Sequence, residues 1–433
     1  MDIADVILVS VDDHVVEPAT MFDAHLPATY KDRAPFVRYT PELGDHWVFG
    51  EPVAPNVGLN AVAGCPPEEY GIEPTEWGQM RPGCHDVEQR IADMSAGGVL
   101  AGLNFPSFGG FAGQLFMREP DKDLALTVLR AYNDWSIDEW AGSHPDRFIP
   151  MSLPALWDPQ TCAAEIERVA AKGCHAMTFS ENPSKLGLPS FHTDHWDPIF
   201  AAAADNELVL CLHIGSSSSM PITAPDAPPD VPIALTPTNS QMAVADIVFS
   251  GIFGRFPQLQ VAMSEGGVGW IPYLLERLDY VYQHHRAWTG LDLGGQLPSQ
   301  VFREHIWTCF IDDKAGIKLR EDVGLDRMMW EMDYPHSDTT WPTAPEMLMK
   351  SFDAAGDVVP DEHVDKITHR NAMRCFSFDP FKHRPRERCT VGALRAEAAG
   401  HDVSVKSRGR RKADADAAAI SRRLTAAASR DAG

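Results

Sequence analysis

The sequence predicts a TIM-type (β/α)8 barrel with insertions after strands one and five and a flexible C-terminal tail, on three observations. Short apolar runs of strand length alternate with longer stretches of helical period, as repeated βα units around a parallel sheet require. About eight such runs can be counted. Acids and histidines stand directly after several of them, on the end of the barrel where such enzymes keep their chemistry.

The runs are Val6–Val11, Val99–Phe105, Arg147–Leu153, Cys174–Phe179, Leu208–His213, Gln260–Ser264, His305–Phe310 and Arg327–Trp330. Between them the periodicity predicts helices over Val87–Ala96, Leu124–Trp140, Pro159–Ala171, Met242–Phe253 and Val268–His284. In the last, Trp270, Leu274, Leu278 and Val281 form the apolar stripe, with Arg277 and Asp279 off it. Residues 26–83, rich in Pro, Gly and Trp and without a helical period, read as an insertion after strand one. The stretch Gly215–Pro237 holds six prolines, Pro221, Pro225, Pro228, Pro229, Pro232 and Pro237, and is expected to be a long loop over the site, excluding helix and strand. The barrel domain is therefore placed at 1–384. Residues 385–433, low in large apolar side chains, are expected to form a disordered or marginally helical tail, dispensable for chemistry.

Charge and cysteine usage narrow the classes. A formal net charge of −24 over 433 residues repels phosphate backbones and anionic lipid surfaces, so neither nucleic acid nor membrane is an expected partner. The basic run Arg408-Gly-Arg-Arg-Lys412 reads as a solvated tail. Eight dispersed cysteines with no C-x-x-C pair do not make a disulfide framework, and Cys174, Cys211 and Cys309 read as small buried thiols. The acidic first residues do not suit a signal peptide, and no run reaches the length of a membrane span. A cytoplasmic location is expected.

Three strand ends carry the chemistry. Strand one ends in Ser10-Val-Asp12-Asp-His14, where alternation sends Asp12 and His14 to one side. Strand five ends in His213-Ile-Gly215, and strand eight leads into Glu331-Met-Asp333-Tyr-Pro-His336-Ser-Asp338. Taken singly, each has a plainer explanation: a hydrogen-bonded Asp/His pair, a core histidine on a carbonyl, a turn aspartate. Jointly, on one face of one barrel, they point to a metal site.

These residues resemble the amidohydrolase superfamily, in the branch related to aminocarboxymuconate semialdehyde decarboxylase. The likeness runs to about Phe378 and rests on Asp12-x-His14 with Glu17-Pro18, His213-Ile-Gly215, Ser264-Glu-Gly-Gly267, Trp330-Glu-Met-Asp333-Tyr-Pro-His336 and His369-Arg-Asn-Ala372. It implies Asp12, His14, His213 and Asp333 as ligands of a divalent ion, Zn, Mn or Fe, and a homodimer. Two departures stand out. Many members carry His-x-His on strand one, where this chain has Asp12-x-His14, and many carry a histidine after strand six, where it has Glu265. Glu181, after strand four, lies near where binuclear relatives place a bridging ligand and is counted as a further ligand, so one or two ions per subunit are expected.

The first expectation for function is a metal-dependent hydrolase, in which metal-bound water or hydroxide attacks the carbonyl of an ester, thioester, amide or lactone. Asp333 would shuttle the proton, with Glu265 and His336 as further catalytic groups. The substrate is expected to be small, with an apolar or aromatic acyl group, from Trp47, Trp77, Phe105, Phe108, Phe111 and Trp341 near strand ends. Two rivals remain: non-oxidative decarboxylation of an aromatic or enoic acid, and a barrel that binds without catalysis. No G-x-S-x-G elbow, Gly-rich phosphate loop or H-E-x-x-H helix is present, which removes serine hydrolase, P-loop and zincin readings.

Overall fold

The computed structural model describes residues 1–41, 43–52, 57–58, 60–71 and 74–408. Every apolar run contains a strand: β1 Val9–His14, β2 Ala101–Phe105, β3 Phe148–Ile149, β4 Ala176–Ser180, β5 Val209–His213, β6 Gln260–Ser264, β7 Ile306–Phe310 and β8 Met328–Trp330. Pairing is parallel throughout, with Val9 opposite Ala101, Gly102 opposite Phe148, Ser180 opposite His213, His213 opposite Ser264, Met263 opposite Thr308 and Phe310 opposite Trp330. A bridge from Ser152 to Met177 joins the β3 and β4 sides. The ring closes where Asp333 N donates to Asp12 O at 2.9 Å and His14 N to Tyr334 O at 2.7 Å. A closed parallel sheet is covered on both faces, which is why its strands read as continuous apolar runs.

Alternate strand residues serve two cores. Val9, Leu103, Val209, Cys211, Ala262 and Met329 share the inner one, while Leu210, Leu212, Val261, Met263 and Trp330 pack in the outer core with the helices. Alternation from Val9 and Val11 would next bring Asp13 inward. A bulge in β1 between Ser10 and Asp13 shifts the register, and Asp12 and His14 come together instead. Asp13 accepts hydrogen bonds from Ser10 Oγ at 3.1 Å and Tyr334 N at 3.0 Å.

The expected helices form with local signals at their ends. Asp86 accepts from Gln89 N to start Val87–Gly97, and Gly98, at φ 76°, ends it. Lys122–Asp134 continues into a π-helical stretch at Trp135–Ala141. Asp158 caps Pro159–Ala170. The stretch expected as Met242–Phe253 is divided into Pro237–Phe249 and Ile252–Arg255, with Gly251 at φ 74° between them. In Ile271–Thr289 the buried face is Ile271, Leu275, Leu278 and Tyr282. Trp270, Leu274 and Val281 of the expected stripe are only half-buried, because the helix carries two adjacent apolar rows and packing takes the second.

One expectation gains detail and two change. The insertion at 26–83 contains an antiparallel sheet, Phe36–Thr40, Gly44–Phe49 and Glu51–Pro52, with Val37 opposite Trp47. The proline-rich Gly215–Pro237 includes a helix, Asp230–Leu235. Pro232 in its first turn and Pro237 at the start of the next helix fit because the first turn of a helix has no use for their missing N–H groups. Residues 385–408 are not a marginal tail: Val391–Glu397 is helical, Val391 N donates to Val6 O at 2.8 Å, and Val391 and Leu394 are buried. A few apolar residues in that low-apolar segment suffice because the barrel supplies the other side of the contact. Residues 409–433, including most of the basic run, lie outside the described residues. Among the described residues no helix is long and apolar enough to cross a membrane, and the eight cysteines are buried and form no disulfide.

Candidate metal centre

At the carboxyl ends of the strands, Asp12, His14 and His213 form one group of converging ligand atoms, and His14, Asp333 and His336 form another sharing His14. His14 Nε2 lies 3.5 Å from Asp12 Oδ1, 3.3 Å from Asp333 Oδ1 and 3.2 Å from His213 Nε2. His213 Nε2 is also 3.5 Å from Asp12 Oδ2 and 3.1 Å from Glu265 Oε2. His336 Nδ1 sits 3.1 Å from Asp333 Oδ1, and its ring stacks on His14 with centroids 3.6 Å apart.

The donor count shows what this arrangement lacks. His213 Nδ1 faces the Ile214 carbonyl at 2.5 Å and must carry the hydrogen, so Nε2 turns a lone pair into the site. There it meets carboxylates, which are acceptors when ionised. Both oxygens of Asp12 and both of Asp333 are buried without a hydrogen-bond donor. Lone pairs converging in a buried space are the chemistry of a cation site, and the residues present fit a divalent ion.

Electrostatics agree. Burial pushes Asp12 well above the usual carboxylate range, and the charges of Glu331, Glu265 and Asp333 add to it. Burial, then Asp338, Glu331 and Asp13, does the same to Asp333. Burial is also the main cause for Glu265, followed by Asp333 and Asp338. The imidazoles move the other way: His14 falls well below its usual value and His213 drops to about 3, chiefly by burial. A cation would relieve the first set and suit the neutral form of the second.

Backbone conformation singles out two of these residues. Asp333 and Glu265 both sit at φ 57°, in the left-handed region that side-chain-bearing residues rarely adopt. Glu265 N donates to Glu331 Oε2 at 3.2 Å, and Cys309 Sγ donates to the same oxygen at 2.5 Å. Glu331 is thus held beneath the site, with burial raising it to about 7. Its position two residues before Asp333, on the same side of the strand end, was the signal available in the sequence.

Glu181, expected as a ligand, joins neither group. Its carboxylate accepts from Ser216 Oγ, from Ser217 Oγ at 2.7 Å and from Asn239 Nδ2 at 3.5 Å, so it fastens the segment after β5. Glu17 likewise takes Ser107 N, Phe108 N and Tyr132 Oη at 2.9 Å each. Phe111, from the segment after β2, covers the site, its ring centroid 4.3 Å from His213 and 5.2 Å from His14.

Comparison with known proteins places this geometry in context. The amidohydrolase family profile matches residues 22–378. The chain is 23% identical to a γ-resorcylate decarboxylase of Rhizobium sp. over 342 residues, 74% of this chain and 94% of that one. An amidohydrolase structure from Mycobacterium avium subsp. paratuberculosis superposes with a TM-score of 0.66 at 21% identity, covering 86% of this chain and 99% of that one. A 5-carboxyvanillate decarboxylase from Novosphingobium aromaticivorans, complexed with manganese and 4-hydroxy-3-methoxy-5-nitrobenzoic acid, superposes at 0.59 and 20% identity, covering 86% and 96%. The two structural likenesses are those of a shared barrel fold.

Proposed function

The chain belongs to the amidohydrolase family, and on that premise we propose that it is a divalent-metal-dependent decarboxylase of aromatic carboxylic acids. The observation that carries the proposal is the pair of buried ligand groups sharing His14, one with Asp12 and His213 and one with Asp333 and His336, in which four carboxylate oxygens lack a donor. Support for decarboxylation over the hydrolysis expected first comes from the relatives, a γ-resorcylate and a 5-carboxyvanillate decarboxylase, the latter with manganese.

Asp12, His14, His213 and Asp333 would hold the ion. Bound there, a divalent cation supplies positive charge against which a substrate carboxylate and a neighbouring ring oxygen can dock. Phe111 offers a flat apolar face beside that point, suited to an aromatic ring. The reaction needs one proton on the ring carbon: the C–C bond to the carboxylate breaks, its electron pair ends in the new C–H bond, and CO2 leaves. Asp333 is the proton carrier in this reading, because its carboxylate borders the ion's position with His336 beside it. His336, 3.1 Å away, replenishes the proton. Glu265, whose Oε2 stands 3.1 Å from the same site-facing His213 Nε2, adds a further carboxylate beside the ion's position.

The test is to supply hydroxylated benzoic acids to manganese-loaded protein and measure CO2 and the decarboxylated arene. Equal amounts of both, with no turnover of aryl esters or lactones, are expected. Metal-dependent ester or lactone cleavage with no CO2 from any aromatic acid would return the assignment to hydrolysis.

A further inference from the structure

The family match ends at residue 378, yet the chain continues in ordered contact to 408. We propose that this extension is part of the metal centre: His401, through Asp93 and Tyr334, is a positioning residue for Asp333. The inference rests on the reading of Asp333 as a ligand.

Asp93, on helix Val87–Gly97, is the junction, its side chain only 2% exposed. An ionised carboxylate has about four lone-pair sites, and all are engaged here. Arg81 donates through Nε at 2.8 Å and Nη2 at 2.7 Å, Tyr334 through its hydroxyl at 2.6 Å, and His401 Nε2 lies 2.6 Å from Oδ1. The carboxylate cannot donate, so the imidazole does. Asp93 also accepts from Trp341 Nε1 at its backbone oxygen, 2.8 Å away. One buried group therefore ties the insertion, the segment after β8 and the C-terminal extension together.

The extension is seated on the body at separate points. Arg81 Nη2 donates to Asp402 O at 2.5 Å, and Lys406 N donates to Gly64 O at 2.9 Å. On the other side of the junction, Tyr334 follows Asp333 directly, and its carbonyl accepts from His14 N at 2.7 Å. Anchoring the Tyr334 ring to Asp93 thus fixes the peptide between a ligand just after β8 and the backbone of a ligand on β1. Asp333 holds a left-handed conformation, which persists only where the surroundings enforce it. Groups that orient ligands from behind commonly change metal affinity by ~10–100-fold when removed.

The test uses the full-length chain stripped of metal and titrated with manganese, beside the melting temperature of the metal-free protein. His401→Ala and Tyr334→Phe should each weaken manganese binding by about tenfold. The double variant should lose little more than either alone, because both act along one route. His401→Gln, which keeps a donor near the Nε2 position, should recover most of the loss. Glu69→Ala, which releases Arg408 N at the far end of the same extension, should leave manganese affinity unchanged. If His401→Ala lowers the melting temperature but binds manganese as tightly as the wild type, the extension is only a cover and the inference fails. Additive losses would overturn the route through Tyr334. A wild-type chain that takes up no manganese would instead overturn the metal-centre reading, and this inference with it.

Discussion

At the carboxyl ends of the strands, Asp12 and Asp333 bury four carboxylate oxygens without a donor, and Glu265 and Asp333 hold left-handed backbone. At the amino ends, backbone carbonyls are met by donors. Asn371 Nδ2 reaches both Leu325 O and Met328 O at 2.8 Å. Arg147 donates to Leu100 O at 2.5 Å and Val99 O at 3.2 Å, and Val391 N to Val6 O at 2.8 Å. The same eight strands therefore end in two different chemistries. The contrast teaches that stability is concentrated at one end, which leaves the other free to keep groups that would cost stability without a cation. Variants at the two ends should differ in kind: stability without metal affinity at one, turnover without stability at the other.

The strongest challenge to that contrast is deletion of residues 385–433. It removes Val391 and Leu394, both buried, and a fully buried aliphatic side chain contributes about 1.5–3 kcal/mol. We expect a loss of roughly 3–6 kcal/mol in denaturant unfolding, with aggregation on heating. Deleting only 409–433 should leave unfolding and turnover unchanged. Next in size is Asp333→Asn, which should lower aromatic-acid turnover by about 10²-fold or more, while metal-free protein melts at the same temperature or higher. A clear fall in melting temperature would show that Asp333 supports the fold and would blur the two ends. Asn371→Ala should cost about 1–3 kcal/mol by removing the buried side-chain donor shared by the Leu325 and Met328 carbonyls, with manganese affinity, read by titration, unaltered. The smallest effect belongs to Glu17, whose carboxyl burial raises to about 7 from a reference of 4.5. The folded chain then binds this proton more tightly than the unfolded one, so the group's contribution is best below about pH 4.5 and declines as pH rises through about 7. Glu17→Gln should flatten that part of the stability–pH curve, measured by denaturant unfolding at several pH values.

Much of this was legible in the sequence, for reasons that also mark the limit. All eight strands were readable because a parallel strand covered on both faces is apolar throughout. Asp12, His14, His213, Glu265, Asp333 and His336 were readable because each lies at or shortly after the end of such a run. Even so, Asp12 and His14 face inward only through a bulge that no local signal announces. Glu181 has the position of a ligand, yet Ser216 and Ser217, distant in sequence, claim its oxygens. The junction at Asp93 joins residues as far apart as Arg81 and His401, and periodicity cannot reveal contacts of that separation. The extension past 385 was hidden for a related reason: composition reports what a segment can bury alone, not what it can bury against a finished barrel.

The φ of 57° at Asp333 also bears on how this chain can vary. Asparagine, glycine and valine can each replace an aspartate through one nucleotide change, but backbone geometry does not treat them alike. Asparagine and glycine enter left-handed conformations readily, whereas a β-branched residue meets a steric barrier there. Descendants of this sequence can thus lose the charge at Asp333 while keeping the loop, and a silenced barrel that still folds lies a single step away. Valine would require the turn itself to be rebuilt first.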